Sequence, residues 1–302
     1  MIEWLRPTLR RFADATIVKV VGHINKMVAL DDSATQQVLF SEMDEIRTRI
    51  VAKTPDNPCA RGFKVYAETD EDGIIQDILG RIPNHSRTFV EVGCGRGVEN
   101  NTHYLALLGY KGYWIDGDAK NIAFIKEALG GLSFDNLLIR HRFVTRENIE
   151  LIVKDFVNFF GSDNLGPFSL DIDSNDLHVL EETLKYIKPL VLCVEYNAKF
   201  PPPVSLSIRY DPGFQFEYCD YFGATLQAFC DLLVDYILVS CNVSGVNAFF
   251  VRRDVANAFT SYRPSELIQP LRARLARLQS GLPPTLNWLR DETARHRNIA
   301  SN

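Results

Sequence analysis

From residue 88 onward the sequence alternates short apolar runs with stretches of helical periodicity, the pattern of a mostly parallel, doubly wound α/β sheet with helices on both faces. The strands it predicts are TFVEV (88–92), GYWID (112–116), LLIRHRF (137–143), FSLDID (168–173), PLVLCVEYN (189–197), YILVSCN (236–242) and AFFVRR (248–253). The last two flank VSGV, with Gly245 and Asn247 as turn formers, and so predict a hairpin that closes five parallel strands.

Helical extensions flank this core. Residues 1–65 read as a preface in which Val38, Leu39, Met43, Ile46 and Ile50 share one helical stripe, ended by the turn-rich TPDNPCARG (54–62). Thr69 and Asp72 resemble a capping pair for a helix carrying Ile74, Ile75 and Ile78. The core domain is expected over 66–262 and a helical tail over 263–302, where SELIQPLRARLARLQ reads as a basic amphipathic helix and Arg290, Arg295 and Arg297 follow a Pro-Pro break. A solvated helix face is the plainer reading of that tail. Preface and tail together also offer surfaces for a homodimer.

A chain of 302 residues can bury a substantial core, and its formal charge of -5 gives no general attraction to nucleic acid or anionic membrane. Neither partner is expected. Cys59, Cys94, Cys193, Cys219, Cys230 and Cys241 lie far apart without CxxC spacing, which argues against zinc and disulfide frameworks and for a reducing cytoplasm. The N-terminus lacks the apolar core of a signal peptide, and no run approaches the length of a membrane span, so a soluble protein is expected.

The turn after the first strand, FVEVGCGRGVENNT (89–102), has the look of a ligand loop. Gly93, Gly95 and Gly97 are spaced G-x-G-x-G, which misses the G-x-G-x-x-G of dinucleotide sites, and Val98-Glu99 replaces the Lys-Ser/Thr of a triphosphate loop. Glu91, two residues before the first glycine, repels phosphate and attracts an ammonium or sulfonium; S-adenosylmethionine carries both. Asp116 ends the second strand, where an acid commonly accepts hydrogen bonds from ribose hydroxyls. The alternative is an ordinary strand-to-helix turn, with Asp116 as a helix cap.

VEVGCGRG followed by a strand-terminal acid resembles the Rossmann-like class I S-adenosylmethionine-dependent methyltransferases over residues 66–253. EDGII (71–75), GYWIDGD (112–118), TRENIE (145–150), LDIDSND (170–176), VEYN (194–197) and GVNAFFVRR (245–253) are similar to its FkbM-like branch, which implies O-methylation of a sugar, polysaccharide or small metabolite. Ala67-Glu68-Thr69-Asp70 departs from the Ser-Gln and glycine expected before Glu-Asp. Cofactor contacts are implied for Glu91, Gly93, Cys94, Gly95, Gly97, Asn101, Thr102, Asp116 and Thr145.

Strand period sets Asp171 with Asp173 on one face of the fourth strand and Glu195 with Asn197 on one face of the fifth, and in this topology the two strands are neighbours. Carboxylates converging there need a cation, a proton or a cationic substrate. Magnesium or manganese on Asp173 and Glu195 would activate an acceptor hydroxyl. Alternatively the acids work without metal, Glu195 positions substrate, or Asp173 or Ser174 caps the following helix, with Leu177, Leu180, Leu184 and Ile187 as its core stripe. His178 is the nearest histidine and a candidate general base, with a surface or core role as its alternative; Lys199 and Tyr196 are weaker candidates. The Pro- and aromatic-rich segment 200–223 reads as a lid or binding loop, or as rings that merely pack the loop down. Two functions follow: a methyltransferase acting on an acceptor hydroxyl, with N-methylation also open, or a non-catalytic cofactor-binding or interaction module.

Overall fold

The computed structural model describes residues 34–129, 136–216, 219–277 and 286. Contacts divide the chain into Met1–Asp44 and Glu45–Asn302. Of the first unit only residues 34–44 are described, and they are helical. Helix α1 covers 34–53; Leu39, Met43, Ile46 and Ile50 are buried, whereas Val38 is 64% exposed and drops out of the expected stripe. Residues 1–33 and the arginines at 290, 295 and 297 lie outside the described residues.

After a 3-10 turn at Pro58–Arg61, capped by Asn57, come α2 (Glu71–Arg81), β1 (Thr88–Val92), α3 (His103–Leu107), β2 (Lys111–Asp116), α4 (Ala119–Ala128) and β3 (Leu137–His141). Next are α5 (Ile149–Phe160), β4 (Pro167–Leu170), α6 (Asp176–Thr183), β5 (Val191–Glu195), α7 (Leu226–Leu232), β6 (Tyr236–Cys241), β7 (Asn247–Arg252) and α8 (Pro264–Leu267). One seven-stranded sheet runs β3-β2-β1-β4-β5-β7-β6. β1 to β5 are parallel, and the β6–β7 hairpin closes the sheet with β7 antiparallel to β5, which is the Rossmann-like sheet of five parallel strands closed by an antiparallel hairpin expected from the sequence.

Strand alternation makes both faces apolar. Val90, Val92, Tyr113, Ile115, Phe168, Leu192 and Val194 form one core with Ile152 and Phe156 of α5, Val179 and Leu180 of α6 and Phe229 of α7. On the opposite face Trp114 and Ile125 of α4 both meet the glycine turn at Gly97. Within β1 and β2, Phe89 lies over its cross-strand partner Gly112, where a Cβ would sit 2.1 Å from the ring.

Two sequence expectations are corrected here. Thr69 and Asp72 do not form a capping pair: Thr69 Oγ1 donates to Glu71 (3.0 Å), while Asp72 Oδ2 turns back to accept the amides of Val65, Tyr66 and Ala67 at 2.7, 2.7 and 2.9 Å. The basic tail helix is broken around Pro270, leaving α8 and a 3-10 turn at Ala273–Arg277, because proline withholds the amide a continuous helix needs. The six cysteines are free thiols, and no described helix is long and apolar enough to cross a membrane.

A buried polar knot joins the entrance of α2 to the hairpin. Glu71 accepts from the Thr69 amide at 2.7 Å, from Asn247 Nδ2 at 3.3 Å and from Asn242 Nδ2, and Asp70 accepts the Val243 amide at 3.1 Å. Burial pushes Asp70 up to about 7, Asp72 to about 6 and Asp176, which accepts the Ile172 and Ser174 amides, to about 6. Carboxyls raised above their unfolded values bind more protons in the folded state, so their contribution is full below the unfolded pKa and is lost as pH rises through the folded one. Thermal melts are therefore expected to show the midpoint falling between about pH 4 and about pH 7.

Candidate active site

A cleft of about 820 Å³ opens at the carboxyl ends of β1, β2 and β4, where open α/β sheets bind ligands. Gly93 has φ +87°, and a Cβ there would lie 1.6 Å from the Asp171 carbonyl oxygen, so only glycine lets the turn close against the chain leaving β4. Gly95 is left-handed too, and no atom lies within 4 Å of where its Cβ would be, so its backbone faces open space. Asp116 ties this turn to β2: Oδ2 accepts the Gly95 amide at 2.8 Å, and Oδ1 accepts the Asp118 amide at 2.7 Å and Asn121 Nδ2 at 3.2 Å.

Of the residues singled out in the sequence, Gly93, Gly95, Asp116, Asp171 and Asp173 line the cleft, and Glu91, Cys94, Gly97, Asn101, Thr102 and Thr145 do not. Glu91 is 4% exposed and accepts the amides of Asn101 (2.9 Å) and Thr102 (3.2 Å) and the Thr102 hydroxyl. It clamps the loop that enters α3 instead of facing a ligand, and burial pushes its carboxyl up to about 7 against those hydrogen bonds. Thr102 Oγ1 also accepts from Trp114 Nε1 (2.9 Å), and Asn101 Nδ2 donates to Ser169 Oγ (3.1 Å). Gly97 packs on Trp114 and Ile125, the Cys94 thiol is buried and raised by desolvation, and Thr145 donates its amide to Asn148 at 3.0 Å.

The second constellation is assembled partly as expected. β4 ends at Leu170, so Asp171 and Asp173 are loop residues, and Asp173 takes a left-handed φ of +52°. Even so, carboxylate oxygens of Asp171, Asp173 and Glu195 come within 4.8 Å of one another. Burial first, then repulsion from neighbouring acids (Asp173 foremost on Asp171, Asp171 foremost on Glu195), holds both well above the usual carboxylate range, and Glu195 shares a hydrogen bond with Asp171. Such a pair keeps one proton between two oxygens. Glu195 does not line the cleft and acts there through Asp171.

Asn197 is not part of this group: its Nδ2 donates to the carbonyls of Asp220 (2.9 Å) and Phe222 (3.3 Å), fastening the loop beyond β5. His178 Nε2 donates to the Ile208 carbonyl at 2.8 Å and its ring packs edge-on against Tyr210, so it serves the same loop and not proton removal in the cleft. Lys199 pairs with Asp220, and the Tyr196 hydroxyl donates to the Gln269 carbonyl at 2.9 Å.

Sequence reasoning passed over Asp118, Asn121, His141, Phe143 and Val144 as lining residues, whereas Phe214 and Phe216 belong to the aromatic segment 200–223 read as a lid or binding loop. The GDAKN run after Asp116 carried the only signal for the first two. A further acid, Glu68, is raised to about 7 chiefly by burial and sits within the field of Asp173. Among the described lining residues there are four carboxylates (Asp116, Asp118, Asp171 and Asp173) and no lysine or arginine.

No protein-family model matches the sequence, and no curated protein matches it. Similar solved structures include the N-terminal domain of EvdMO1 with SAH bound, at 13% identity and TM-score 0.39 over 70% of this chain and 96% of that one. The CurJ carbon methyltransferase matches at 13% identity and TM-score 0.39 over 62% of this chain and 54% of its own. The glycopeptide N-methyltransferase MtfA complexed with S-adenosyl-L-methionine matches at 13% and 0.36 over 63% and 96%.

Removing the Glu91 clamp strands three buried donors. Glu91→Ala is expected to lose about 3 kcal/mol or more, read as a fall in melting temperature of roughly 5–10 °C.

Proposed function

We propose that this chain is an S-adenosylmethionine-dependent methyltransferase that transfers the methyl group to a hydroxyl of a sugar, polysaccharide or small metabolite. The observation that carries this reading is the charge of the cleft: a glycine-lined pocket with four carboxylates and no lysine or arginine among its described residues disfavours phosphates and suits an ammonium and a sulfonium. The residues fit such a cofactor. Asp116 Oδ2, which carries only the Gly95 amide and keeps a lone pair, stands where ribose hydroxyls are bound in sheets of this kind, Phe143 and Val144 offer apolar surface for a base, and Gly95 leaves its backbone approachable.

In the proposed reaction the acceptor oxygen attacks the methyl carbon in line with the departing sulfur. The oxygen–carbon bond forms as the carbon–sulfur bond breaks, and the hydroxyl proton passes to Asp171. Its raised pKa makes it a better proton acceptor than an ordinary aspartate, and Glu195 orients it from behind. Alignment supplies the larger part of the rate. One oxygen each of Asp171, Asp173 and Glu195 lies within 4.8 Å of the others, a donor set that suits a hard divalent cation, and magnesium or manganese held there would lower the pKa of the acceptor hydroxyl.

Titration calorimetry tests the reading. S-adenosylmethionine is expected to bind while NAD and ATP do not, and Asp116→Ala is expected to weaken it about 10–100-fold. Binding without turnover on any hydroxyl acceptor would instead favour a non-catalytic module. Asp171→Asn is expected to lower kcat by about 10²–10⁴ with the protein still folded. If a metal is used, magnesium or manganese raises the melting temperature of the protein alone, and Asp173→Asn abolishes that rise.

A further inference from the structure

The connection from β5 to α7 supplies one wall of the main cleft, where Phe214, Gln215 and Phe216 stand with Asp171, Asp173 and Ser174. The root of this wall is fixed by backbone pairing. Ser207 bridges Ala224, the Ile208 amide donates to the Gly223 carbonyl at 3.1 Å, and the Thr225 amide donates to the Leu206 carbonyl at 2.9 Å. Beyond the root the chain is held differently. From Val204 to Phe216 the one buried residue is Ile208. Phe214 and Phe216 pack on Tyr221 and Phe222 of the same connection, with ring centroids 6.2 and 5.4 Å apart. The tip, residues 209–216, therefore sinks no side chain into the core beneath the sheet.

Polar contacts tie the tip to the loops that leave β4 and β3. At the entrance of α6, Asn175 Nδ2 donates to the Asp211 carbonyl at 2.8 Å and its Oδ1 accepts the Asp211 amide at 3.2 Å. Ahead of α5, the Tyr210 hydroxyl donates to Glu147 Oε2 at 2.6 Å and accepts the Arg146 amide at 3.2 Å, with the Arg146 guanidinium 5.3 Å from the ring centroid. Both ties lie next to cleft residues in the chain: Asn175 follows Ser174, and Arg146 and Glu147 come shortly after Phe143 and Val144.

We propose that residues 209–216 form a latched lid on the cleft, held shut by Asn175 and Tyr210, which opens to let the cofactor in and out. The proposal rests on the methyltransferase reading for what the lid covers. A stretch with few buried apolar contacts opens at a small fraction of the free energy of global unfolding, and lids of this kind gate ligand exchange. Hydrogen bonds suit a latch, because each shifts the open–closed equilibrium only a few-fold and so can be broken and remade. When the tip lifts on its paired root, Phe214, Gln215 and Phe216 leave the cleft wall together.

Surface plasmon resonance on the immobilised full chain tests this, with S-adenosylhomocysteine as the probe. Tyr210→Phe keeps the ring and deletes both hydroxyl contacts; Asn175→Ala deletes the other tie. Each is expected to raise the association and dissociation rate constants together, by about three- to tenfold. The Kd changes by less than about twofold, because the latch is made with and without ligand. Hydrogen exchange read by mass spectrometry is expected to show faster exchange of the tip amides in both variants and slower exchange when the probe is bound to the wild type. Unchanged exchange in α5 and β6 shows that the variants are folded. Wild-type rate constants in both variants, or a weaker Kd that comes from faster dissociation alone, overturn the lid. Loss of the methyltransferase reading shows separately, as failure of the probe to bind the wild type, and exchange at the tip of the ligand-free variants then still decides the latch: faster exchange upholds it and unchanged exchange overturns it.

Discussion

The close approach of Gly93 to the carbonyl of Asp171 is the constraint on which the site depends. Two backbones meet where a single methyl group would not fit, and this draws the turn after β1 against the loop that leaves β4. The same contact brings Asp171 to the cleft wall opposite Asp116. Around it, buried acids hold loop backbone in place: Asp116 takes the amide of Gly95, Glu91 those of Asn101 and Thr102, and Asp176 those of Ile172 and Ser174. These loop amides have no partner in regular structure, and supplying them with acceptors commits carboxylate oxygens to the backbone.

That requirement also explains what the sequence did and did not disclose. Every strand was legible from its apolar run, because two covered faces demand it. The ends were not. Strand period was carried past Leu170 to Asp173 and past Glu195 to Asn197, but beyond those residues the chain turns, and side-chain direction is set by φ and by loop carbonyls instead of by pleat. Asp173 reached the cleft through a left-handed backbone, and Asn197 was taken up by the carbonyls of Asp220 and Phe222. Glu91 was read for its charge when its role is that of a hydrogen-bond acceptor. The expectation of a cation-friendly cleft rests on Asp118, Asp171 and Asp173, together with Asp116.

Charge sets the character of the cleft, and backbone fastening sets the shape of its surroundings. The large cleft carries carboxylates whose ionisation is opposed by burial and by one another, which makes it receptive to positive charge or to protons. His178 and Asn197 fix the backbone of the connection from β5 to α7, so two residues that sequence reading placed in chemistry act instead on the shape of the neighbouring wall.

The knot that joins Glu71 to Asn242 and Asn247 has a temporal consequence. More than 170 residues separate the carboxylate from the amides that satisfy it. On a ribosome the strands β1 to β5 emerge long before those amides do, and during that interval the segment ahead of α2 lacks the partners that fix it. The β6–β7 hairpin thus locks the entrance of α2, and a nascent chain released short of residue 247 would present an open sheet edge beside an unsatisfied acid.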